Sequence, residues 1–150
     1  MVKLNSIALF FTSLVLLATA APSSDVEARA MINNCGSSTF INQSSTASPL
    51  VKDCQQIVRN ISGSGTWTTP LWRQRKLVSY GTCAFGVEGV MPLGITGFKV
   101  GNSDIVDLIN DSIKLFQWKG KVGAKGEMRC QPEPAIGMPH IKVEWTIYHN

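Results

Sequence analysis

The sequence has few charges and few side chains suited to catalysis. Charged residues make up 16% of the 150 residues, and the only histidines are His140 and His149. Neither histidine has the surroundings of a catalytic triad or a zinc motif. The net charge is only +4 and the basic residues are scattered, which excludes a typical nucleic-acid-binding protein. A hydrophobic fraction of 44% excludes a disordered chain, and the length predicts one domain.

No apolar run reaches the roughly 20 residues that a membrane-spanning helix needs. The longest run, residues 7–17 (IALFFTSLVLL), follows the positive charge of Lys3. A small-x-small sequence, ATA, ends at Ala20 and is typical of a signal-peptidase site. These features predict a signal peptide over residues 1–20, and therefore secretion.

The segment after this run is small, polar and without periodicity. We expect residues 21–31 to form a disordered lead or pro-segment, with Arg29 as a candidate processing site. The folded domain is predicted to span residues 32–150, and it contains no internal repeat.

Cysteine is sparse, and its spacing excludes a zinc site. The four cysteines are Cys35, Cys54, Cys83 and Cys130, and none lies two to four residues from another. An even number of cysteines in a secreted chain predicts two disulfides, for which three connectivities are open. Because Cys54 and Cys130 are both predicted to face the core, we expect Cys54–Cys130 and Cys35–Cys83.

Three Asn-x-Ser sequons are candidate glycosylation sites, at Asn42, Asn60 and Asn110. Asn42 is the preferred site because its neighbourhood is rich in Ser and Thr and resembles a loop. Asn110 lies within a predicted helix.

Two segments have the apolar periodicity of helices. The first is predicted to start with Ser48 as N-cap and Pro49 at the first helical position, and to stop at Gly63. The second is predicted to start with Ser103 as N-cap and to end at Gly120.

Strands are predicted in the remaining periodic segments, and the last two alternate cleanly between apolar and polar residues. Such alternation indicates strands with one buried and one solvated face. The order of elements predicts an α+β fold: a disulfide-stabilised two-layer sandwich, whose antiparallel sheet of four to five strands carries two helices on one face. The predicted strands are residues 66–69, 77–87, 98–100, 121–131 and 141–148.

The solvated sheet face is predicted to carry charges of both signs. We expect cross-strand charge pairing there, and the alternative is a basic face for an anionic lipid, a phosphate or an acidic polysaccharide. The charged residues are Lys121, Lys125, Glu127, Arg129, Lys142 and Glu144.

Carboxylates and tryptophans are the other candidate functional residues. Asp104, Asp107 and Asp111 share one face of the second helix, and we expect this face to be solvated rather than catalytic. The alternation of the last predicted strand places Trp145 on its buried face. The remaining tryptophans lie near element ends, where an indole either covers the core or stacks on a sugar; they are Trp67, Trp72 and Trp118.

A series of short motifs resembles a family of fungal secreted effectors. This family is named for its homology to an extracellular effector of the tomato leaf-mould fungus and is also labelled a necrosis-inducing factor. The similarity covers residues 32–149, with motif order and all four cysteines in agreement. The motifs are NNCGSSTF (33–40), ASPLVKDCQQIVRNI (47–61), GTW (65–67), YGTCAFG (80–86), VGNSDIVDLINDSI (100–113), GAKG (123–126) and CQ (130–131).

The resemblance implies export to the host apoplast and a role in virulence or host cell death. It also implies that the four cysteines form structural bridges, and it supplies no catalytic residues, metal or cofactor. Relatives of the domain are joined to chitinase-like modules. The order of elements is similar, in architecture only, to the virally encoded killer toxins of smut fungi.

From these features we expect a monomeric effector that is not an enzyme. Its partner would be a host protein, a membrane component or a cell-wall polysaccharide, and not a nucleic acid. The alternatives are a chitin-type carbohydrate-binding module and a killer-toxin-like antimicrobial protein.

Overall fold

The computed structural model describes residues 32–71, 73–90, 94–135 and 137–150. The predicted signal peptide and lead segment lie outside these residues. Within them, no helix is long and apolar enough to cross a membrane. The elements are β1 Cys35–Ser38, β2 Ile41–Asn42, α1 Val51–Ile61, β3 Thr66–Pro70, β4 Arg75–Tyr80, β5 Cys83–Gly89, β6 Gly97–Gly101, α2 Asn102–Phe116, β7 Ala124–Cys130, β8 Pro132–Glu133 and β9 Ile141–His149.

The strands form two antiparallel sheets. The larger sheet has the order β1-β7-β9-β5-β4, with β2 also paired to β7, and the smaller has the order β3-β6-β8. The prediction of an α+β domain with two helices, antiparallel strands and two disulfides therefore holds. The prediction of a single sheet of four to five strands differs from the structure, since β1, β2 and β8 are too short to show an alternating pattern.

A tight turn at Gly81 divides what the sequence predicted as one strand over residues 77–87. Gly81 has φ of 53°, in the left-handed region that glycine adopts without steric cost. A Cβ at this position would lie 2.5 Å from Oδ2 of Asp53, so a side chain has no room there. The chain therefore reverses, and β4 and β5 form a hairpin.

Asp53 on α1 holds this hairpin turn. Its Oδ2 accepts hydrogen bonds from the Thr82 backbone N–H and from the Thr82 hydroxyl, both at 2.8 Å. These bonds favour the ionised carboxylate, and they lower the pKa of Asp53 below its usual value of 3.8. The helix is thereby fastened to the β4–β5 turn through one charge-assisted contact.

We expect Asp53→Asn to remove a pH-dependent part of the stability. Because folding lowers the pKa of Asp53, the ionised carboxylate stabilises the fold at pH values above its unfolded-state pKa. This stabilisation is lost as the pH falls through the folded-state pKa. Urea unfolding of both proteins between pH 2 and pH 7 tests this. The wild type should have the larger free energy of unfolding at neutral pH, and the two proteins should become equally stable in acid. A difference in unfolding free energy that grows towards low pH would contradict the prediction.

Both predicted N-caps are wrong. Ser48 precedes α1, and its hydroxyl accepts a hydrogen bond from the Ser45 N–H at 2.8 Å. Ser103 lies within α2, whose N-cap is Gly101. The α2 helix also ends at Phe116, before the predicted stop at Gly120.

The core is built on the alternating residues of β7 and β9, as predicted. Trp145 on β9 is only 1% exposed, and its ring stacks on Phe85 with centroids 6.3 Å apart. Phe40 meets the same ring edge-on at 5.3 Å. The Trp145 indole N–H donates to the Ser38 hydroxyl at 2.6 Å, so this buried donor is satisfied.

The disulfides are Cys35–Cys130 and Cys54–Cys83, and the predicted pairing is wrong. Cys35 and Cys130 are direct cross-strand partners in β1 and β7, whereas the sequence had placed Cys35 in an irregular segment. Cys54 lies on the buried face of α1, and its bridge joins this helix to β5. A predicted position facing the core therefore did not determine which cysteine each one pairs with.

Candidate functional site

A groove of about 330 Å³ crosses the larger sheet. Strands β5, β9 and β7 contribute to its lining, together with Ile41 from β2 and Gln74 from the segment before β4. The lining residues are Ile41, Gln74, Val87, Glu88, Lys125, Gly126, Glu127, Glu144, Trp145 and Thr146.

A row of three glutamates crosses this groove. Glu144 on β9 is the direct cross-strand partner of Glu88 on β5 and of Glu127 on β7. Like charges directly opposite one another destabilise a sheet. The arrangement therefore opposes the stability of the fold, and it lines up three carboxylates across the groove. We call these three residues the glutamate row.

Lysine partly compensates the glutamate row. Lys142 Nζ lies 2.5 Å from Oε1 of Glu127 and 4.0 Å from Oε1 of Glu144. Glu88 makes no ion pair within the described part of the chain. Lys125 lines the groove on the same face. The predicted charged face thus exists, but its centre in the groove is acidic.

Lys121 is an exception among the residues predicted on that face. It lies in a turn before β7, where its backbone pairs with that of Trp118. Its ammonium group contacts the carbonyl oxygen of Thr46. Lys121 therefore belongs to a loop contact rather than to the charged sheet surface.

The tryptophans have different surroundings. Trp67 is half-buried, and its indole N–H donates to Oδ1 of Asn102 at 2.8 Å, which links β3 to the start of α2. Trp118 is 42% exposed and lies just beyond α2. Trp72 lies outside the described residues. Trp145 has the core position predicted for it.

The acidic residues of α2 do not share one environment. Asp107 and Asp111 are exposed, as predicted, but Asp104 is only 6% exposed, so the prediction for it is wrong. Its Oδ2 accepts from the backbone N–H groups of Gly101 and Asn34 at 2.7 and 2.9 Å. The reason is structural, because this carboxylate holds the chain leading into β1.

Burial raises the pKa of Asp104, and the neighbouring charge of Asp107 acts in the same direction. The backbone N–H groups of Asn34, Gly101 and Cys35 oppose the shift by stabilising the carboxylate. Among the residues described, no group of three or more His, Cys, Asp or Glu side chains is arranged to hold a metal ion.

The three sequons are on the surface. Asn42 is in β2, Asn60 in α1 and Asn110 in α2, and each is exposed. Glycosylation at these positions remains a prediction.

Three groove residues were not predicted: Glu88, Ile41 and Gln74. Glu88 follows the buried Val87 and precedes Gly89, so strand parity alone could have placed it outward. It was overlooked because the predicted strand stopped at residue 87. Ile41 and Gln74 carry no local signal, since the chain brings them to the groove only through sheet topology.

The chain matches a family model over residues 34–130. The family, Hce2, is described as "Pathogen effector; putative necrosis-inducing factor". This disulfide-bonded α+β domain therefore belongs to the Hce2 family of pathogen effectors, and the predicted family resemblance is confirmed. The two disulfides are typical of extracellular proteins and support the predicted extracellular location.

Two relatives come from Penicillium expansum. "Probable chitinase LysM18" is 39% identical over 118 residues, which are 78% of this chain and 8% of that protein. "Secreted chitinase LysM12" is 35% identical over 113 residues, 74% of this chain and 7% of that protein. The chain thus spans less than a tenth of either relative. Both relatives are named as enzymes, and this finding overturns the prediction that the chain is not an enzyme.

Proposed function

We propose that the protein is a secreted effector of the host apoplast that engages chitin-type polysaccharide in the groove of the larger sheet. The observation that carries this proposal is the glutamate row in an open groove. Carboxylate oxygens accept hydrogen bonds from sugar hydroxyl groups and from the amide N–H of N-acetylglucosamine, and charged acceptors make the stronger bonds. The domain's likeness to parts of two named chitinases favours this class of ligand.

The dimensions of the groove suit an extended oligosaccharide. From β2 to β4 the sheet has four strand spacings, or about 19 Å at about 4.8 Å each. Ile41 and Gln74 stand near the two ends of this path, and the glutamate row lies between them. An apolar residue at one end and carboxylates in the middle match the mixed surface of a sugar ring.

Cleavage of the bound polysaccharide is a second candidate function, favoured by the pairing of Glu144 with Glu88. Retaining glycosidases hold two carboxyl groups about 5–5.5 Å apart, one as acid and one as nucleophile. Directly paired residues of an antiparallel sheet have Cβ atoms about 4.5–5.5 Å apart. We infer that side chains starting this close bring their carboxyl groups to that separation at one glycosidic bond.

We expect Glu144→Gln to weaken retention on insoluble chitin by about tenfold to a hundredfold. Loss of a hydrogen bond to a charged group costs about 1.5–3 kcal/mol, and 1.4 kcal/mol is a factor of ten. Co-sedimentation of the purified protein with chitin and with other wall polymers measures binding. Release of new reducing ends measures cleavage, which should fall by about a hundredfold or more in the same variant.

Glu133→Gln is the matched control, because Glu133 pairs with Lys99 at 2.7 Å and does not line the groove. It should bind like the wild type. A wild-type protein that stays in the supernatant with every polymer would rule the proposal out. Binding without reducing-end release would discard the cleavage function alone.

Infiltration of the purified protein into leaves tests the effector role. Disulfide-intact protein should cause host cell death, and the reduced, unfolded protein should not. A response that matches buffer alone would count against an effector role in the apoplast.

A further inference from the structure

A second depression, of about 300 Å³, lies where the chain leaves α2. It shares no lining residue with the groove of the larger sheet, so it does not depend on the proposed function. Its lining residues are Asn42, Ser44, Ser45, Leu115, Phe116, Gln117 and Trp118, and we call it the Trp118 depression.

The apolar part of this depression is unusually exposed. Leu115 is 57% exposed and Trp118 is 42% exposed. Exposed large apolar side chains that lie together indicate a surface that something covers. Since both residues line the same depression, one ligand could bury both.

Trp118 begins a two-residue turn. The backbones of Trp118 and Lys121 exchange two hydrogen bonds of 2.9 Å, and Lys119 and Gly120 between them have φ of 47° and 74°. Positive φ at both central residues is typical of the tight turn that best fits antiparallel strands. The Lys119 ammonium lies 4.7 Å from the ring centroid, yet Lys119 does not line the depression. The turn thus fixes the backbone at Trp118, and Lys119 leaves the depression open.

The Asn42 side chain is oriented at the same place. Its Oδ1 accepts a hydrogen bond from the Ser44 N–H at 2.8 Å, which forms an Asx turn. The Ser44 hydroxyl donates to the Phe116 carbonyl at 2.8 Å and so ties the sequon to the end of α2. Within the described residues, Nδ2 of Asn42 donates no hydrogen bond. A sugar attached to Nδ2 would therefore break no contact.

We propose that Asn42 carries an N-linked glycan whose first N-acetylglucosamine lies in the Trp118 depression, against Trp118 and Leu115. The C–H face of the sugar and its acetyl methyl group bury apolar surface against the indole. Within the described residues the Gln117 side chain makes no hydrogen bond, and it is available to the hydroxyl groups of the sugar. The glycan is thus a structural part of the domain.

The other two sequons lack these features. Neither Asn60 nor Asn110 lines the Trp118 depression, and both lie on exposed helix faces. Oδ1 of Asn60 accepts instead from Nε2 of Gln56 at 2.8 Å on its own helix. Asn60 is therefore a matched control for glycosylation without an aromatic contact.

The test uses protein secreted from a yeast host and trimmed with an endoglycosidase that leaves one N-acetylglucosamine on each occupied site. Mass spectrometry should find Asn42 occupied. Asn42→Gln should lower Tm by about 3 °C, the shift that about 1 kcal/mol produces in a domain of this size. Asn60→Gln should leave Tm unchanged. In a Trp118→Ala background, Asn42→Gln should lower Tm by less, since only the loss of the Asx turn remains, as a double-mutant cycle requires of a contacting pair.

NMR provides a readout independent of stability. The acetyl methyl signal of the Asn42 sugar should be shifted upfield by the indole in the wild type and should return to its ordinary position in Trp118→Ala. Any of four results overturns the proposal: an unoccupied Asn42, equal Tm effects of the two sequon variants, an unshifted methyl signal, or a Trp118 indole signal that moves when free chitin oligomers are added to the glycosylated protein.

Discussion

Replacing Cys35 and Cys130 by alanine should destabilise the domain by about 4–5 kcal/mol, more than loss of the other disulfide. The bridge closes a sequence separation of 95 residues, and the entropy that a crosslink removes from the unfolded chain grows with the length of the closed loop. Replacing Cys54 and Cys83, which are 29 residues apart, should cost about 3–4 kcal/mol. Urea unfolding of the three proteins under non-reducing conditions measures the difference.

The two cysteine variants act as controls for each other. All four cysteines are buried, so the packing lost with each pair of sulfur atoms is similar. A larger cost for the Cys54–Cys83 pair would contradict the loop-length explanation. Peptide mapping of unreduced protein checks the pairing itself, and a fragment that links Cys54 to Cys130 would contradict the structure.

Trp145→Ala should destabilise the domain by about 3–5 kcal/mol, the usual cost of deleting a large buried aromatic side chain. Trp145 is 1% exposed and packs against Phe85 and Phe40, so its removal leaves a cavity in the core. A typical domain has only about 5–15 kcal/mol of stability, and much of it would be lost. The urea midpoint should fall while the slope of the transition stays unchanged.

Tyr80→Ala is the matched control, since Tyr80 is an aromatic residue of β4 that is 48% exposed. Its replacement should cost less than about 1 kcal/mol. Trp145→Phe keeps a buried ring but loses the hydrogen bond to Ser38. Its cost in stability should lie between those of Trp145→Ala and Tyr80→Ala. A smaller cost for Trp145→Ala than for Tyr80→Ala would refute the assignment of Trp145 to the core.

Local pattern predicted the parts of the fold that are regular over many residues. The alternation in β7 and β9 is visible in the sequence, because each strand has one buried and one solvated face. The hairpin at Gly81 was missed, since a glycine within a strand pattern fits a bulge or a bend equally well, and the Asp53 carboxylate that contacts the turn comes from a distant helix. The Cys35–Cys130 bridge was missed because it follows from the register of β1, a strand too short to recognise.

The candidate site, too, was predicted only where a local pattern determines it. Glu127 and Glu144 were predicted to project from the solvated sheet face, since strand parity decides the face of each residue. Their meeting with Glu88 was not predictable, because it needs the β7-β9-β5 order of the sheet. Periodicity gives the face of a side chain, and only topology gives its neighbours.

An NMR titration with a soluble N-acetylglucosamine oligomer tests the central claim most directly. We predict that backbone amide signals shift along the groove, at Glu88, Glu127 and Glu144, and that the shifts disappear in Glu144→Gln. Signals of α1, on another part of the domain, should stay in place. Shifts confined to residues outside the groove, or equal shifts in the wild type and the variant, would contradict the claim that this groove engages chitin-type polysaccharide.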